Sequence, residues 1–90
     1  MSRPFNAPDT FRAIADPTRR RILDLLRTAD RSPGDLAGQF RLSRPSISQH
    51  LRTLRLAGLV REQRRGKGLV YSLASNPMQA VFRWAAPFRN

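Results

Sequence analysis

Small polar and cationic side chains recur between Ser43 and Arg52, a stretch without a carboxylate. Arginine and glutamine hydrogen-bond the edges of guanine and adenine in the DNA major groove, and serine can bind bases or phosphates. These residue types therefore predict a surface that binds duplex DNA. The residues assigned to it are Ser43, Arg44, Pro45, Ser46, Ser48, Gln49, His50 and Arg52.

A simpler interpretation stays open on this pattern alone, because any amphipathic surface helix has a polar face that meets water. His50 falls at the edge of the apolar stripe of the predicted helix, where it could pack against the protein or bind a phosphate; pH sensing is the least expected role. Leu56 is placed on the outer face, where nothing in the sequence explains a leucine.

A helix beginning after Ser43 is predicted to position these side chains. The Ser43 hydroxyl can accept the backbone N–H of Ser46, and Pro45 lies in the first turn, where a missing N–H donor costs nothing. Gly58 is expected to end the helix in the left-handed conformation. The apolar residues at i, i+4 and i+7 form one inward stripe: Ile47, Leu51 and Leu54.

A shorter helix is predicted just upstream, from Ser32 to Phe40. Its start, Ser32-Pro33-Gly34-Asp35, resembles a capping box, and Leu36 and Phe40 form an apolar pair at i, i+4. Only Arg41-Leu42-Ser43 separates the two helices, which is the spacing of a helix-turn-helix. This neighbour favours DNA recognition over a merely solvated face.

A β-hairpin is predicted downstream, since two β-type runs, 59–65 and 69–74, flank the glycine-bounded turn Gly66-Lys67-Gly68. Its tip carries three cations and no anion. Beside a recognition helix, Arg64, Arg65 and Lys67 are predicted to form a wing that reaches phosphates or a minor groove. An ordinary solvated loop is the alternative.

Two helices are predicted before this unit. Asp9 is expected to cap the first, in which Phe11, Ile14 and Ala15 share one side. Asp16-Pro17 starts the second, a central helix that is apolar over nearly half its circumference. The run 19–21 (Arg-Arg-Arg) has two interpretations: ion pairing of Arg20 and Arg27 with Asp24 on the outer face, or phosphate contact.

The chain ends are predicted to lie outside the DNA-binding domain, which spans residues 9–75. Residues 1–8 form an arm, and residues 76–90 form an apolar helix that provides more apolar surface than one subunit needs. We expect a homodimer through it, although this segment could instead fold back over its own core. The interface residues assigned are Phe5, Phe11, Val81, Phe82, Trp84, Ala85 and Phe88.

Composition restricts the class of protein. Ninety residues make one domain, and the net charge of +11 calls for a polyanionic partner. Residues 1–35 contribute +2 and residues 36–90 contribute +9, so the excess accompanies the recognition helix and wing. A basic RNA-binding structural module is the alternative function, but Tyr71 is the only aromatic residue between Phe40 and Phe82, which disfavours base stacking.

Several functions lack the residues that they need. There is no cysteine, and His50 is the single histidine, so we expect no metal site, no cofactor and no enzymatic centre. No apolar run approaches the roughly 20 residues of a membrane span, and residues 1–10 lack the apolar core of a secretion signal. A cytoplasmic protein without a membrane partner is expected.

The chain resembles the ArsR/SmtB family of bacterial winged-helix repressors. The strings ADPTRRRILDLL, LSRPSISQHLRTLRLAGLV and RRGKGLVYSL carry the resemblance, which spans about residues 11–73. It implies a mainly α winged helix-turn-helix with a β-hairpin, in the order α-α-α-α-β-β-α, and a homodimer on a palindromic operator. By position, residues 43–52 would be the recognition element and residues 61–67 the wing.

One departure from the family matters. Metal-sensing members carry cysteines near the position of Ser32 to Leu36, or histidine and acidic ligands on the terminal helix, whereas residues 78–90 here contain neither type of ligand. The chain therefore resembles the metal-independent members, some of which repress their own operons.

Overall fold

The computed structural model describes residues 7–74, which form four helices followed by a β-hairpin. Outside the described residues lie the predicted terminal helix and most of the predicted arm. The elements are α1 (Ala7–Ala13), α2 (Pro17–Leu26), α3 (Pro33–Phe40), α4 (Arg44–Leu56), β1 (Val60–Arg65) and β2 (Gly68–Leu73).

Three of the four helices begin with the predicted N-caps. The side-chain oxygens of Asp16, Ser32 and Ser43 each accept a hydrogen bond from the backbone N–H three residues further along the chain. The N···O distances are 2.9, 3.1 and 3.2 Å, respectively. A proline follows within the first two helical positions of each. The prediction for α1 is wrong in detail: this helix begins at Ala7, so Asp9 lies in its first turn, where a carboxylate still complements the helix dipole.

The ends of α3 and α4 share one hydrogen-bonding motif. After α4, Gly58 takes a φ of +80°, and the Leu59 N–H donates to the Leu54 carbonyl at 3.0 Å. After α3, Arg41 takes a φ of +54°, and the Leu42 N–H donates to the Ala37 carbonyl at 3.1 Å. Both are Schellman ends, which satisfy the orphan carbonyls of a helix and turn the chain sharply. The predicted role of Gly58 is confirmed, whereas the left-handed Arg41 was not foreseen.

The hairpin closes with the two-residue loop Gly66-Lys67, since Arg65 lies opposite Gly68 at the end of the antiparallel ladder. Gly66 has a φ of +59°, which glycine adopts without steric cost. A short bridge extends the sheet: Arg31 and Tyr71 exchange both main-chain hydrogen bonds, at 3.1 and 2.8 Å. The segment 30–31, predicted only as a turn, therefore also holds β2.

The core forms where the predicted apolar stripes meet. α4 lies at its centre, in contact with α1, α2, α3 and β1. Since its Ile47-Leu51-Leu54 stripe is fully buried, the opposite face of the same helix remains at the surface. The fully buried apolar side chains are Ile22, Leu36, Ile47, Leu51, Leu54 and Leu59.

Candidate nucleic-acid interface

The structure exposes most of the side chains that sequence analysis assigned to the recognition helix. Ser46 is half-buried, and Ser43 is exposed while its hydroxyl caps α4. No carboxylate forms an ion pair with the two arginines of this set within the described chain. The exposed members on α4 are Arg44, Pro45, Ser48, Gln49 and Arg52.

His50 differs from these residues because its half-buried ring lies against the start of α2. Its Nδ1 is 3.4 Å from Nη1 of Arg19 and 3.9 Å from Oδ2 of Asp16. The Arg19 N–H hydrogen bond to the Asp16 carboxylate holds the pKa of that carboxyl below its usual range. His50 thus joins α4 to the N-cap of α2, and the phosphate contact predicted for it stays a prediction.

Arg19 and Arg20 bind the end of α1. The Nε of Arg19 donates to the Ala13 carbonyl at 2.6 Å, and Nη1 of Arg20 donates to the Ile14 and Ala15 carbonyls at 2.7 and 3.0 Å. Guanidinium groups therefore satisfy the carbonyls that a helix leaves without partners at its C-terminus. These contacts cross only five to six residues in sequence, but no periodicity of the chain signals them.

The predicted ion pairing on the outer face of α2 is confirmed only in part. Arg27 pairs with Asp24 at 3.1 Å, whereas Arg20 is engaged by the α1 carbonyls. The third arginine of the run, Arg21, stacks over the Phe40 ring with 4.8 Å between its guanidinium carbon and the ring centroid. This contact joins α2 to the end of α3. The arginine run thus has structural partners.

Opposite charges are distributed unequally over the described residues. Four carboxylates face cations or cap a helix, and that of Glu62 accepts the Tyr71 hydroxyl. By contrast, a group of cations between Arg41 and Lys67 has no carboxylate within ion-pair distance in residues 7–74. We call this group the unpaired cations: Arg41, Arg44, Arg52, Arg55, Arg61, Arg64 and Lys67.

The three cations predicted for the wing are not equivalent. Arg64 and Lys67 are exposed and belong to the unpaired cations. Arg65 instead directs Nη2 to Oδ2 of Asp30 at 2.6 Å and to Oε1 of Gln63 at 3.2 Å. Nη2 of Arg65 is therefore engaged within the protein, and the phosphate contact predicted for this residue stays a prediction.

Of the predicted dimer interface, Phe11 alone is within the described side chains, and it is 38% exposed. Phe5, Val81, Phe82, Trp84, Ala85 and Phe88 lie outside the described residues. Leu56, which the sequence left unexplained, is 37% exposed and borders a cleft of about 200 Å³ between α1 and the end of α4. The other lining residues are Asp9, Arg12, Ala13, Thr53 and Ala57.

Residues 7–74 contain no group of three or more histidine, cysteine or acidic side chains that could hold a metal ion. No helix among them is long and apolar enough to cross a membrane.

The helix-turn-helix, its exposed α4 face and the hairpin wing are the parts of a winged helix. Residues 16–62 match the arsR family of bacterial regulatory proteins, a span that includes α2, the helix-turn-helix and the start of β1. The chain belongs to the arsR family. An arsR-family chain is a transcriptional regulator and not an enzyme, as the sequence predicted.

Two transcriptional regulators align with most of the length of this arsR-family chain. It is 44% identical over 82 residues to the transcriptional repressor SdpR of Bacillus subtilis, covering 91% of each chain. It is 37% identical over 78 residues to the HTH-type transcriptional regulator Rv2034 of Mycobacterium tuberculosis, covering 86% of this chain and 73% of that protein.

Solved structures agree with the winged helix-turn-helix fold. The homodimeric winged helix-turn-helix DNA-binding domain of Mb0332 from Mycobacterium bovis superposes with a TM-score of 0.82 at 26% identity, covering 91% of this chain and 76% of that one. Rv0081 of M. tuberculosis superposes with a TM-score of 0.79 at 35% identity, covering 91% and 83%. The predicted fold class is confirmed.

Proposed function

We propose that this arsR-family regulator is a repressor that binds a palindromic DNA operator as a homodimer, without a metal or other cofactor. The observation that carries the proposal is the exposed α4 face, which contains Arg44, Ser48 and Gln49 and no carboxylate. The unpaired cations begin just before α4 and continue to the hairpin loop, so one contiguous part of the chain supplies base-reading groups and phosphate ligands.

The side chains of α4 divide by their position along the helix. The N-terminal residues of a recognition helix enter the major groove deepest, so Arg44, Ser48 and Gln49 would contact base edges. Ser43, Pro45 and Ser46 would lie against the groove at the helix start. Arg52 lies further along, where a side chain reaches the backbone and would bind a phosphate, as would Arg64 and Lys67 of the wing.

The alternative of a basic RNA-binding module is disfavoured by one contact. Single-strand readers stack bases on exposed aromatic rings. Tyr71 is buried and donates its hydroxyl hydrogen to Glu62. The Tyr71 ring is therefore not exposed for a nucleic-acid base to stack on it.

A homodimer would explain the apolar sequence of residues 76–90. The homodimeric state named for the Mb0332 domain supports the same proposal. Because a two-fold dimer presents identical surfaces, its operator should be a palindrome. We also propose that the protein represses its own gene, because it resembles metal-independent family members, some of which do so. If analytical ultracentrifugation shows a monomer at protein concentrations of tens of micromolar, the proposed homodimer is wrong.

Selection of bound sequences from a random duplex library tests the proposal as a whole. We expect the full chain to enrich a palindrome whose half-site centres lie about 34–36 Å apart, or a multiple of that distance. A pool that stays random while duplex DNA is retained would contradict sequence-specific repression and would favour backbone binding alone. Retention of single-stranded RNA in preference to duplex DNA would favour the alternative.

A further inference from the structure

The turn between α2 and α3 holds the hairpin at two separate points. Arg31 and Tyr71 exchange main-chain hydrogen bonds in the middle of β2. The neighbouring residue, Asp30, accepts a hydrogen bond from the Arg65 guanidinium at 2.6 Å, at the end of β1. Two consecutive residues of one turn therefore bind both strands of the hairpin.

The second point lies next to the hairpin loop. Arg65 opposes Gly68 in the last pair of the ladder, so only Gly66 and Lys67 lie beyond it. A two-stranded hairpin has marginal stability of its own, and the direction of its tip depends on the contacts that hold it. The same Arg65 nitrogen also donates to Gln63 at 3.2 Å, which further fixes the guanidinium.

The partial exposure of this ion pair indicates whether its loss should affect the stability of the fold or the position of the hairpin tip. The side chains of Arg65 and Asp30 are 56% and 33% exposed, and pairs this exposed contribute little to the stability of a fold. Asp30 and Gln63 both accept from Nη2 of Arg65, so a phosphate would have to compete with them for this nitrogen. The consequence of the pair should therefore be found in the position of its unpaired neighbours, Arg64 and Lys67.

We infer that Asp30 is a positioning residue for the wing: it holds Arg65 against the helix-turn-helix body and so fixes the place of Arg64 and Lys67 before DNA is bound. Preorganisation of this kind strengthens binding because the cost of ordering the groups is met in the free protein. The inference rests on the proposed function, since it takes the wing to be a DNA contact.

The test compares Asp30→Asn with Asp24→Asn in the full chain. Both changes remove one carboxylate that faces an arginine, and both raise the net charge by one. Asp24 pairs with Arg27, three residues further along the chain, and not with a residue of the hairpin, so its substitution controls for the change in charge. The readouts are ¹⁵N relaxation of the 66–68 amides in the free protein, and affinity for a mixed-sequence duplex of about 30 base pairs, roughly three helical turns.

We expect the order parameters of the loop amides to fall in Asp30→Asn, toward the values below about 0.6 that mark flexible backbone, and to stay unchanged in Asp24→Asn. Asp30→Asn should bind the duplex about 3- to 10-fold more weakly than Asp24→Asn, because the tip must then be ordered on binding. The double variant Asp30→Arg with Arg65→Asp, which restores the ion pair in reverse, should recover the loop order.

Three results would overturn the inference. Unchanged loop order in Asp30→Asn would show that other contacts fix the tip, and lower order with duplex affinity equal to that of Asp24→Asn would show that position does not matter. Tighter binding with a steeper salt dependence would show that Asp30 competes with phosphate for Arg65. Failure of the unaltered chain to bind any duplex would instead contradict the proposed function, and the loop measurement would still stand.

Discussion

The hydroxyl of Tyr71 donates a 2.5 Å hydrogen bond to the carboxylate of Glu62, the residue directly opposite it in the hairpin. Burial of the phenol raises the pKa of Tyr71 to about 12, and the hydrogen bond and charge of Glu62 act in the same direction. Glu62 is the only acidic residue after Asp35. Its charge is thus used within the hairpin, beside the unpaired cations.

The titration of Tyr71 can be followed directly, because the chain has no other tyrosine. We expect phenolate absorbance of the folded protein to rise near pH 12, and that of the denatured chain near about pH 10. Since the folded pKa is the higher one, the stability gained from the neutral phenol is complete below about pH 10 and is lost as pH rises toward 12. In Tyr71→Phe, stability should no longer depend on pH in this way between about pH 10 and pH 12. Phenolate absorbance of the unaltered folded protein that rises already near about pH 10 would contradict the buried hydrogen bond.

Glycine at position 41 should stabilise the fold, because residues with a Cβ adopt the φ of +54° seen for Arg41 only at an energetic cost. We expect Arg41→Gly to unfold with a free energy about 1 kcal/mol greater than that of Arg41→Ala, since both remove the charge and only alanine keeps the strain. Thermal unfolding at one fixed protein concentration measures the difference. Equal stability of the two variants would mean that the left-handed turn is absent in solution.

Local signals in the sequence were sufficient for most of the fold. Caps such as Ser43 and Asp16 act on a backbone group three residues away, and the α4 stripe repeats within one helix, so both can be recognised without tertiary structure. The hairpin was also predictable, because Gly66 and Gly68 bound its turn. The start of α1 was predicted too late in the chain, since Asp9 has the residue type of a cap but is used inside the first turn.

Contacts between distant segments could not be predicted in this way. The Asp30–Arg65 pair joins residues 35 positions apart, and the His50 ring meets Arg19 across 31 positions. Neither pair has a spacing that any single element imposes. Consequently the sequence identified the cationic wing correctly as a hairpin tip, but it could not show that one of its three cations is held by a carboxylate of another turn.

The wing cations should therefore differ in their effect on the salt dependence of binding. If Lys67 binds a phosphate, Lys67→Ala should flatten the slope of log K against log salt by about 0.9 for each phosphate that is no longer neutralised. Arg65→Ala should weaken binding while leaving that slope nearly unchanged, because Arg65 is paired with Asp30. Titrations of one duplex at several salt concentrations give both slopes. Equal flattening by the two variants would show that Arg65 leaves Asp30 and binds the backbone.

The ratio of affinities for a selected operator and a mixed-sequence duplex, measured for Gln49→Ala, tests most directly whether the exposed α4 face reads sequence. Removal of a hydrogen bond to a base edge should cost about 1–3 kcal/mol on the operator while phosphate contacts are retained. We therefore predict a ratio lowered by about 5- to 150-fold, with affinity for the mixed-sequence duplex nearly constant. Arg52→Ala, on the same helix, should weaken both affinities together and preserve the ratio. An unchanged ratio in Gln49→Ala with a collapsed ratio in Arg52→Ala would contradict the assignment of base reading to the N-terminal half of α4.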